Sequence, residues 1–150
     1  MLIAGMPPVV NCEAGRPTNP NSSAFMPVAV GWHPWFVRRL PETAASAELE
    51  LDVRPGLMWA NDVTGLPSGK LTEPVPRPWD YCFRNLLADP VVRWPGELEL
   101  TVGSDCQDWI VYDLEEAGVC IEPWTAPPNS LNMPKPRSLS GTVKVGALPT

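Results

Sequence analysis

Several features that would mark a common class of functional site are scarce or missing in this sequence. Histidine occurs once, as His33, and the four cysteines form no C-x-x-C pair, so we expect no bound metal. The net charge is -6 and no basic stripe is present, so nucleic acid is not an expected partner. No run of eighteen apolar residues occurs, so we expect no membrane span. The first residues lack the basic and apolar regions of an export signal, which predicts a cytoplasmic chain with reduced thiols.

Proline and tryptophan are, in contrast, abundant. The chain has 150 residues, the size of one domain with a real core, and 20 of them are proline. Because proline breaks helix interiors, this content favours short strands joined by irregular loops. Most of the 7 tryptophans are expected to fill the core of a small β protein, and one or two could offer a flat face to a sugar ring.

Alternating apolar residues support this β interpretation. Leu49, Leu51 and Val53 alternate with acidic residues, and the same period of two runs from Leu98 to Val102. A second apolar run, 109–114, follows a polar turn, so we predict that it forms a hairpin with 98–102. The run 66–69, which contains proline and glycine, is predicted to be a turn. The pattern as a whole predicts an all-β antiparallel sandwich over residues 1–150.

Glu122 is the first candidate for chemistry. It follows three apolar residues, Val119 to Ile121, and precedes Pro123 and Trp124, so its carboxylate is expected to be partly desolvated and suited to act as a general base. The alternative is an outward-facing strand glutamate for which the neighbouring Cys120 is incidental, and composition alone favours that alternative.

His33 and Asp80 are the other two candidates. His33 lies between Trp32 and Trp35, where a histidine is more often packed than catalytic, yet it is the one side chain suited to proton exchange near neutrality. Asp80 follows Trp79 and is expected in a buried or cleft position, with a sugar hydroxyl or a backbone amide as its partner.

Four motifs occur in a specific order along the chain. They are GWHPWF at 31–36, LPSG at 66–69, WDYCF at 79–83 and CIEPWTAPPNSLN at 120–132. Together they resemble the G-x-H-P-[YW]-F, L-P-[ST]-G, D-x-C-F and C-x-E-P-x-T…P-x-x-x-N motifs of the aldose 1-epimerase (galactose mutarotase) family. The likeness covers the second half of the family pattern, whose first half supplies an arginine and a second histidine without counterparts here.

The resemblance implies the family's large antiparallel β-sandwich, here incomplete, with sheet edges open to self-association. It also implies interconversion of the α and β anomers of a free aldose without a cofactor. Glu122 would take the proton of the anomeric hydroxyl, His33 would protonate the ring oxygen, and Asp80 would hold sugar hydroxyls.

Two other functions fit the same residues. Stacking of a monosaccharide, such as glucose or galactose, on Trp35, Trp79 or Trp124 would make the chain a non-catalytic carbohydrate-binding module. A fragment without a function of its own is the remaining alternative.

Overall fold

The regular secondary structure of the described residues is almost all β-strand. A computed structural model describes residues 29–40, 47–133 and 143–147, the last of these by backbone alone. In this part of the chain the one helical element is a 3₁₀ turn, Ser130–Asn132. The strands are β1 (Trp35–Val37), β2 (Glu50–Asp52), β3 (Leu57–Asn61), β4 (Pro67–Thr72), β5 (Asp80–Arg84), β6 (Val91–Trp94), β7 (Leu98–Ser104), β8 (Asp108–Tyr112), β9 (Gly118–Trp124) and β10 (Val143–Ala147). The predicted all-β class is confirmed. Among the described residues, no helix has the length and apolar character needed to cross a membrane.

The strands form two antiparallel sheets. The six-stranded sheet has the order β1-β9-β8-β5-β3-β4, and the four-stranded sheet has the order β10-β7-β6-β2. Apolar side chains from both sheets meet in one core cluster, in which Val92 and Val102 of the smaller sheet join Trp109, Val119 and Ile121 of the larger. The predicted sandwich is therefore confirmed. That residues 1–150 form a single domain stays a prediction, as does self-association through the edge strands.

Alternation along β9 gives the larger sheet two different faces. Val119 and Ile121 point towards the smaller sheet, so Cys120 and Glu122 point to the opposite side, which we call the outer face. Residues paired across strands share a face, and β9 pairs with both β1 and β8. The outer face is where the candidate site forms.

The predicted hairpin between 98–102 and 109–114 is wrong. β7 lies in the four-stranded sheet and β8 in the six-stranded sheet, so the two consecutive strands face each other across the core. Val102 and Trp109 pack into the same core cluster. Both arrangements require the same alternation of apolar residues, which is why the pattern could not separate them. The real hairpin joins β6 to β7 through a turn at Gly96, whose φ of 81° is one that glycine adopts readily.

The predicted turn at 66–69 is displaced. Pro67 begins strand β4, and the turn precedes it, where the Asp62 carboxylate accepts hydrogen bonds from the backbone N–H and the hydroxyl of Thr64. Aspartate commonly stabilises turns in this way, by accepting from the backbone two residues further on. The strand predicted around Leu49–Val53 is confirmed as β2, Glu50–Asp52.

Candidate active site

His33 and Glu122 meet on the outer face. Trp35 pairs with Cys120, and an isolated bridge joins Gly31 to Trp124, so the same antiparallel register sets His33 opposite Glu122. The Nε2 atom of His33 lies 3.1 Å from Oε1 of Glu122. Residues separated by 89 positions in the chain are thus brought into hydrogen-bond distance by the pairing of two neighbouring strands.

The two members of this pair differ in their exposure. The Glu122 side chain is 5% exposed and the His33 side chain 59% exposed. The carboxylate is therefore enclosed by protein, while the imidazole reaches solvent. A small molecule approaching the outer face would therefore meet the imidazole first.

Trp124 holds the second carboxylate oxygen of Glu122. Its indole N–H donates to Oε2 at 3.0 Å. The indole ring lies directly on Gly31, where an added Cβ would come within 2.3 Å of ring atoms. Only glycine fits beneath this ring, so Gly31 and Trp124 together fix the orientation of the carboxylate.

Cys120 contacts the other side of the His33 imidazole. Its Sγ lies 3.5 Å from Nδ1 of His33 and 2.9 Å from the carbonyl oxygen of Pro34. Burial, followed by the charge of Glu122, raises the pKa of the Cys120 thiol. The sequence analysis called this cysteine incidental only in the alternative of an outward-facing Glu122, and gave it no role in the site. Its position two residues before Glu122, on the same strand face, was the signal that it would lie beside the pair.

Ligand-type atoms of His33, Cys120 and Glu122 lie within 4.8 Å of one another, which raises the question of a metal. The imidazole turns Nε2 to Glu122 and Nδ1 to Cys120. Because each histidine binds a metal through one nitrogen, an ion held by this imidazole would take the place of one of the two contacts.

Trp35, Tyr112 and Asp80 extend the outer face beyond the pair. Trp35 is 50% exposed, and its ring centroid lies 5.8 Å from that of His33 and 5.8 Å from that of Tyr112. Asp80 is exposed and pairs with Tyr112, which in turn pairs with Cys120. Asp80 is thus two strand spacings, about 10 Å, from β9. Tyr112 was not singled out from the sequence, although its alternation with Val111 placed it on this face.

Trp79 lies elsewhere. It is buried in a second core cluster with Met58, Phe83 and Val111, and its ring packs edge-on against Phe83 at 5.0 Å between centroids. Its indole N–H donates to the carbonyl oxygen of Val75. The structure does not bring Trp79 to the outer face beside His33 and Glu122, so it adds no ring to the site.

A small cavity lies beside the side chains of Arg84 and Asp108. It has a volume of about 150 Å³ and is lined in part by Trp59, Arg84, Asp108 and Met133, while His33 and Glu122 are not among its lining residues. Asp108 pairs with Trp124 in the sheet, one step along from Glu122. Its carboxylate accepts from Arg84 at 3.2 Å and from the Trp59 indole at 2.7 Å. The sequence analysis did not identify this buried ion pair.

The described strands form an antiparallel β-sandwich, with His33 and Glu122 paired on the outer face of its larger sheet.

Comparison with solved structures gives the same fold. A candidate aldose 1-epimerase from Escherichia coli K12 superposes with a TM-score of 0.56 at 15% identity, covering 82% of this chain and 52% of the other. A galactose mutarotase-like protein from Clostridium acetobutylicum gives a TM-score of 0.61 at 16% identity, covering 82% of this chain and 48% of the other. The chain therefore spans about half the length of these structural neighbours. No family model and no curated protein matches the sequence.

Proposed function

We propose that this chain interconverts the α and β anomers of a free aldose by opening and closing the sugar ring. The observation that carries the proposal is the 3.1 Å contact between His33 Nε2 and Glu122 Oε1 on an open sheet face. Ring opening requires a base at the anomeric hydroxyl and an acid at the ring oxygen. These two oxygens are bonded to the same carbon, so the base and the acid must both reach one carbon centre, as two side chains in mutual contact can.

The reaction balances with these two side chains alone. Glu122 takes the proton of the anomeric hydroxyl, the bond between the anomeric carbon and the ring oxygen breaks, and His33 gives its Nε2 proton to the ring oxygen. The product is the open-chain aldehyde. After rotation about the bond between the first two carbons, the hydroxyl formed from the former ring oxygen attacks the opposite side of the aldehyde. Its proton returns to His33, and the new anomeric hydroxyl takes the proton held by Glu122.

Asp80 and Trp35 give the sugar its position. Asp80 is exposed at a distance of two strand spacings from β9, about 10 Å, which suits a carboxylate that accepts hydrogen bonds from hydroxyls across a pyranose. Trp35 offers a half-exposed ring next to His33, on which the apolar face of a sugar can stack. In this proposal both residues act as substrate-binding groups, as the sequence analysis predicted. Trp124 acts instead through its hydrogen bond to Glu122.

Polarimetry of freshly dissolved α-D-glucose and α-D-galactose tests the proposal. We expect the wild-type chain to speed equilibration above the buffer rate, and the Glu122→Gln variant to lose this effect. Equilibration at the buffer rate by protein with a cooperative melting transition would contradict it.

Non-catalytic sugar binding is a second candidate, favoured by one observation. The chain spans about half the length of its structural neighbours, while Trp35, Tyr112 and Asp80 still offer a stacking and hydrogen-bonding surface. Calorimetric titration with the same sugars separates the two functions. Heat of binding without any acceleration of mutarotation would favour a binding module, and heat with acceleration would favour the enzyme.

A further inference from the structure

We propose that Thr125 is a positioning residue, whose hydroxyl holds the segment that carries His33 against strand β9 and so keeps the imidazole in contact with Glu122. The expected effect on turnover rests on the proposed function. The expected effect on the contact between His33 and Glu122 rests only on the hydrogen bonds around Thr125.

Two prolines reduce the hydrogen bonding around His33. In the antiparallel register Trp32 lies opposite Pro123, and the Trp32 N–H donates to the Pro123 carbonyl oxygen at 3.1 Å. Such a pair normally exchanges two bonds, but a proline has no N–H with which to return the second. Pro34, two residues further along the chain, would donate in the same direction as Trp32, and it has no N–H either. The His33–Glu122 pair therefore lies between two positions at which the ladder lacks a donor.

Thr125 strengthens the pairing on one side of this gap. It lies opposite Val30, and its backbone N–H donates to the Val30 carbonyl oxygen at 2.9 Å. Its hydroxyl donates to the same carbonyl oxygen at 3.1 Å and accepts from the Val30 N–H at 2.9 Å. In an ordinary ladder a backbone carbonyl would accept that last bond, so a side chain takes the place of the backbone here. Without the hydroxyl, the Val30 N–H loses its acceptor.

His33 is the member of the pair whose position depends on these bonds. Glu122 is on β9, which lies between β1 and β8, and it pairs with Ile110 of β8. Among the described strands, β1 is at the edge of its sheet and pairs with β9 alone. The His33 side chain is 59% exposed, so its position depends largely on the backbone that carries it. Loosening Val30 should therefore move the imidazole while the carboxylate stays in place.

Two substitutions at Thr125 separate the hydroxyl from the shape of the side chain. Thr125→Val keeps the branched shape and removes the hydroxyl, whereas Thr125→Ser keeps the hydroxyl. The control is Thr64→Val, which removes a hydroxyl that donates to the Asp62 carboxylate at 2.6 Å in the turn between β3 and β4. A loss of stability without an effect on His33 is expected from this control.

The contact can be measured without any activity, because His33 is the only histidine in the chain and its imidazole signals are unambiguous in ¹H–¹⁵N spectra. Glu122→Gln removes a charge 3.1 Å from Nε2, so at a fixed pH it should shift these signals. We expect a clearly smaller shift from the same substitution in the Thr125→Val background, and the full shift in the Thr125→Ser and Thr64→Val backgrounds. Equal shifts in all backgrounds would overturn the proposal. Should Thr125→Val not fold, a wild type whose imidazole signals ignore Glu122→Gln would overturn it as well.

Turnover tests the part that depends on the proposed function. A misplacement of about 1 Å can cost about 100-fold in rate, so we expect Thr125→Val to lower kcat about 10- to 100-fold. KM should change by less than about threefold, because Asp80 and Trp35 are untouched, and Thr125→Ser should stay within about threefold of the wild-type kcat. Equal kcat in Thr125→Val and wild type would overturn the effect on turnover. The smaller shift in Thr125→Val, found together with a wild type that does not accelerate mutarotation, would support the positioning role and fail the proposed function.

Discussion

Glu122 and Asp108 are buried carboxylates on neighbouring strands of one sheet face, yet they occupy opposite kinds of surroundings. The Asp108 side chain is 3% exposed and its partner Arg84 is 9% exposed, so both members of this ion pair are buried beside the small cavity that they line. Glu122 is equally buried, but its partner His33 reaches solvent. A guanidinium keeps its charge at all ordinary pH values, whereas an imidazole exchanges its proton near neutrality.

Burial is therefore the same for Asp108 and Glu122, and the partner side chain is what distinguishes them. Asp108 also accepts from the Trp59 indole, as Glu122 accepts from the Trp124 indole. Both carboxylates thus accept from an indole and contact a second nitrogen-bearing side chain. In the proposed function, the pair that acts on a substrate is the one whose partner can gain and lose a proton and reaches solvent.

The largest expected effect is on catalysis. Glu122→Gln removes the base but keeps an oxygen for the Trp124 indole, so we expect mutarotation to fall about 10²- to 10⁴-fold with the fold retained. Asp108→Asn should leave the rate per folded molecule unchanged. Polarimetry on samples checked by thermal melting measures both. Similar losses of rate in the two variants would break the comparison.

The second effect is on stability, where the Asp108 variant should lose more than the Glu122 variant. Asp108→Ala leaves the Arg84 guanidinium buried without its carboxylate, which should lower the free energy of unfolding by about 3–5 kcal/mol. Urea unfolding at low temperature measures it, with Glu122→Gln as the variant expected to stay within about 1 kcal/mol of wild type. Replacing both members of the ion pair, as in Arg84→Met with Asp108→Leu, should recover much of the loss. A failure to recover it would show that the charges do more than satisfy each other.

A third variant tests how the Glu122 carboxylate is held. Gly31→Ala places a methyl group against the Trp124 ring, so we expect a loss of about 1–3 kcal/mol in unfolding free energy together with slower mutarotation. Gly65→Ala is the matched control: its φ of 82° strains an alanine, but nothing lies within 4 Å of the added Cβ. The control should lose stability without losing rate. If Gly31→Ala keeps full activity, Trp124 does not orient the carboxylate.

The smallest effect is a fall in the free energy of unfolding at alkaline pH. It comes from two buried thiols, each of which lies near one of the two carboxylates. Burial raises the pKa of Cys82 and of Cys120, helped by Asp108 in the first case and by Glu122 in the second. In the unfolded chain these thiols ionise near their ordinary pKa of 9.0, while the folded chain keeps them neutral. Stability should therefore be insensitive to these thiols below this pH and fall above it, by up to about 1.4 kcal/mol per pH unit for each thiol. Urea unfolding of wild type and Cys82→Ala between pH 8 and 10.5, values chosen to bracket about pH 9, should give a steeper slope for wild type; equal slopes would contradict this.

The site could be predicted from the sequence only in part. The motifs around His33, Asp80 and Glu122 identified three residues that the fold does bring to one face. The contacts of Trp124 and Cys120 with the pair could not be read there, because a hydrogen bond between side chains depends on rotamers and on the neighbouring strand. Trp79 and Asp80 are adjacent in sequence but lie on opposite faces, which a motif read as a unit conceals.

Sequence patterns alone were enough to predict an all-β protein and to separate the two sides of strand β9. Proline content excluded long helices, and a side-chain period of two assigned Glu122 and Cys120 to one side and Ile121 to the other. Only the tertiary structure decided which strands pair, since alternation is identical for a hairpin and for strands that face each other across a core. That pairing is what places His33 against Glu122, because hydrogen bonds between β1 and β9 fix a register that no local pattern encodes.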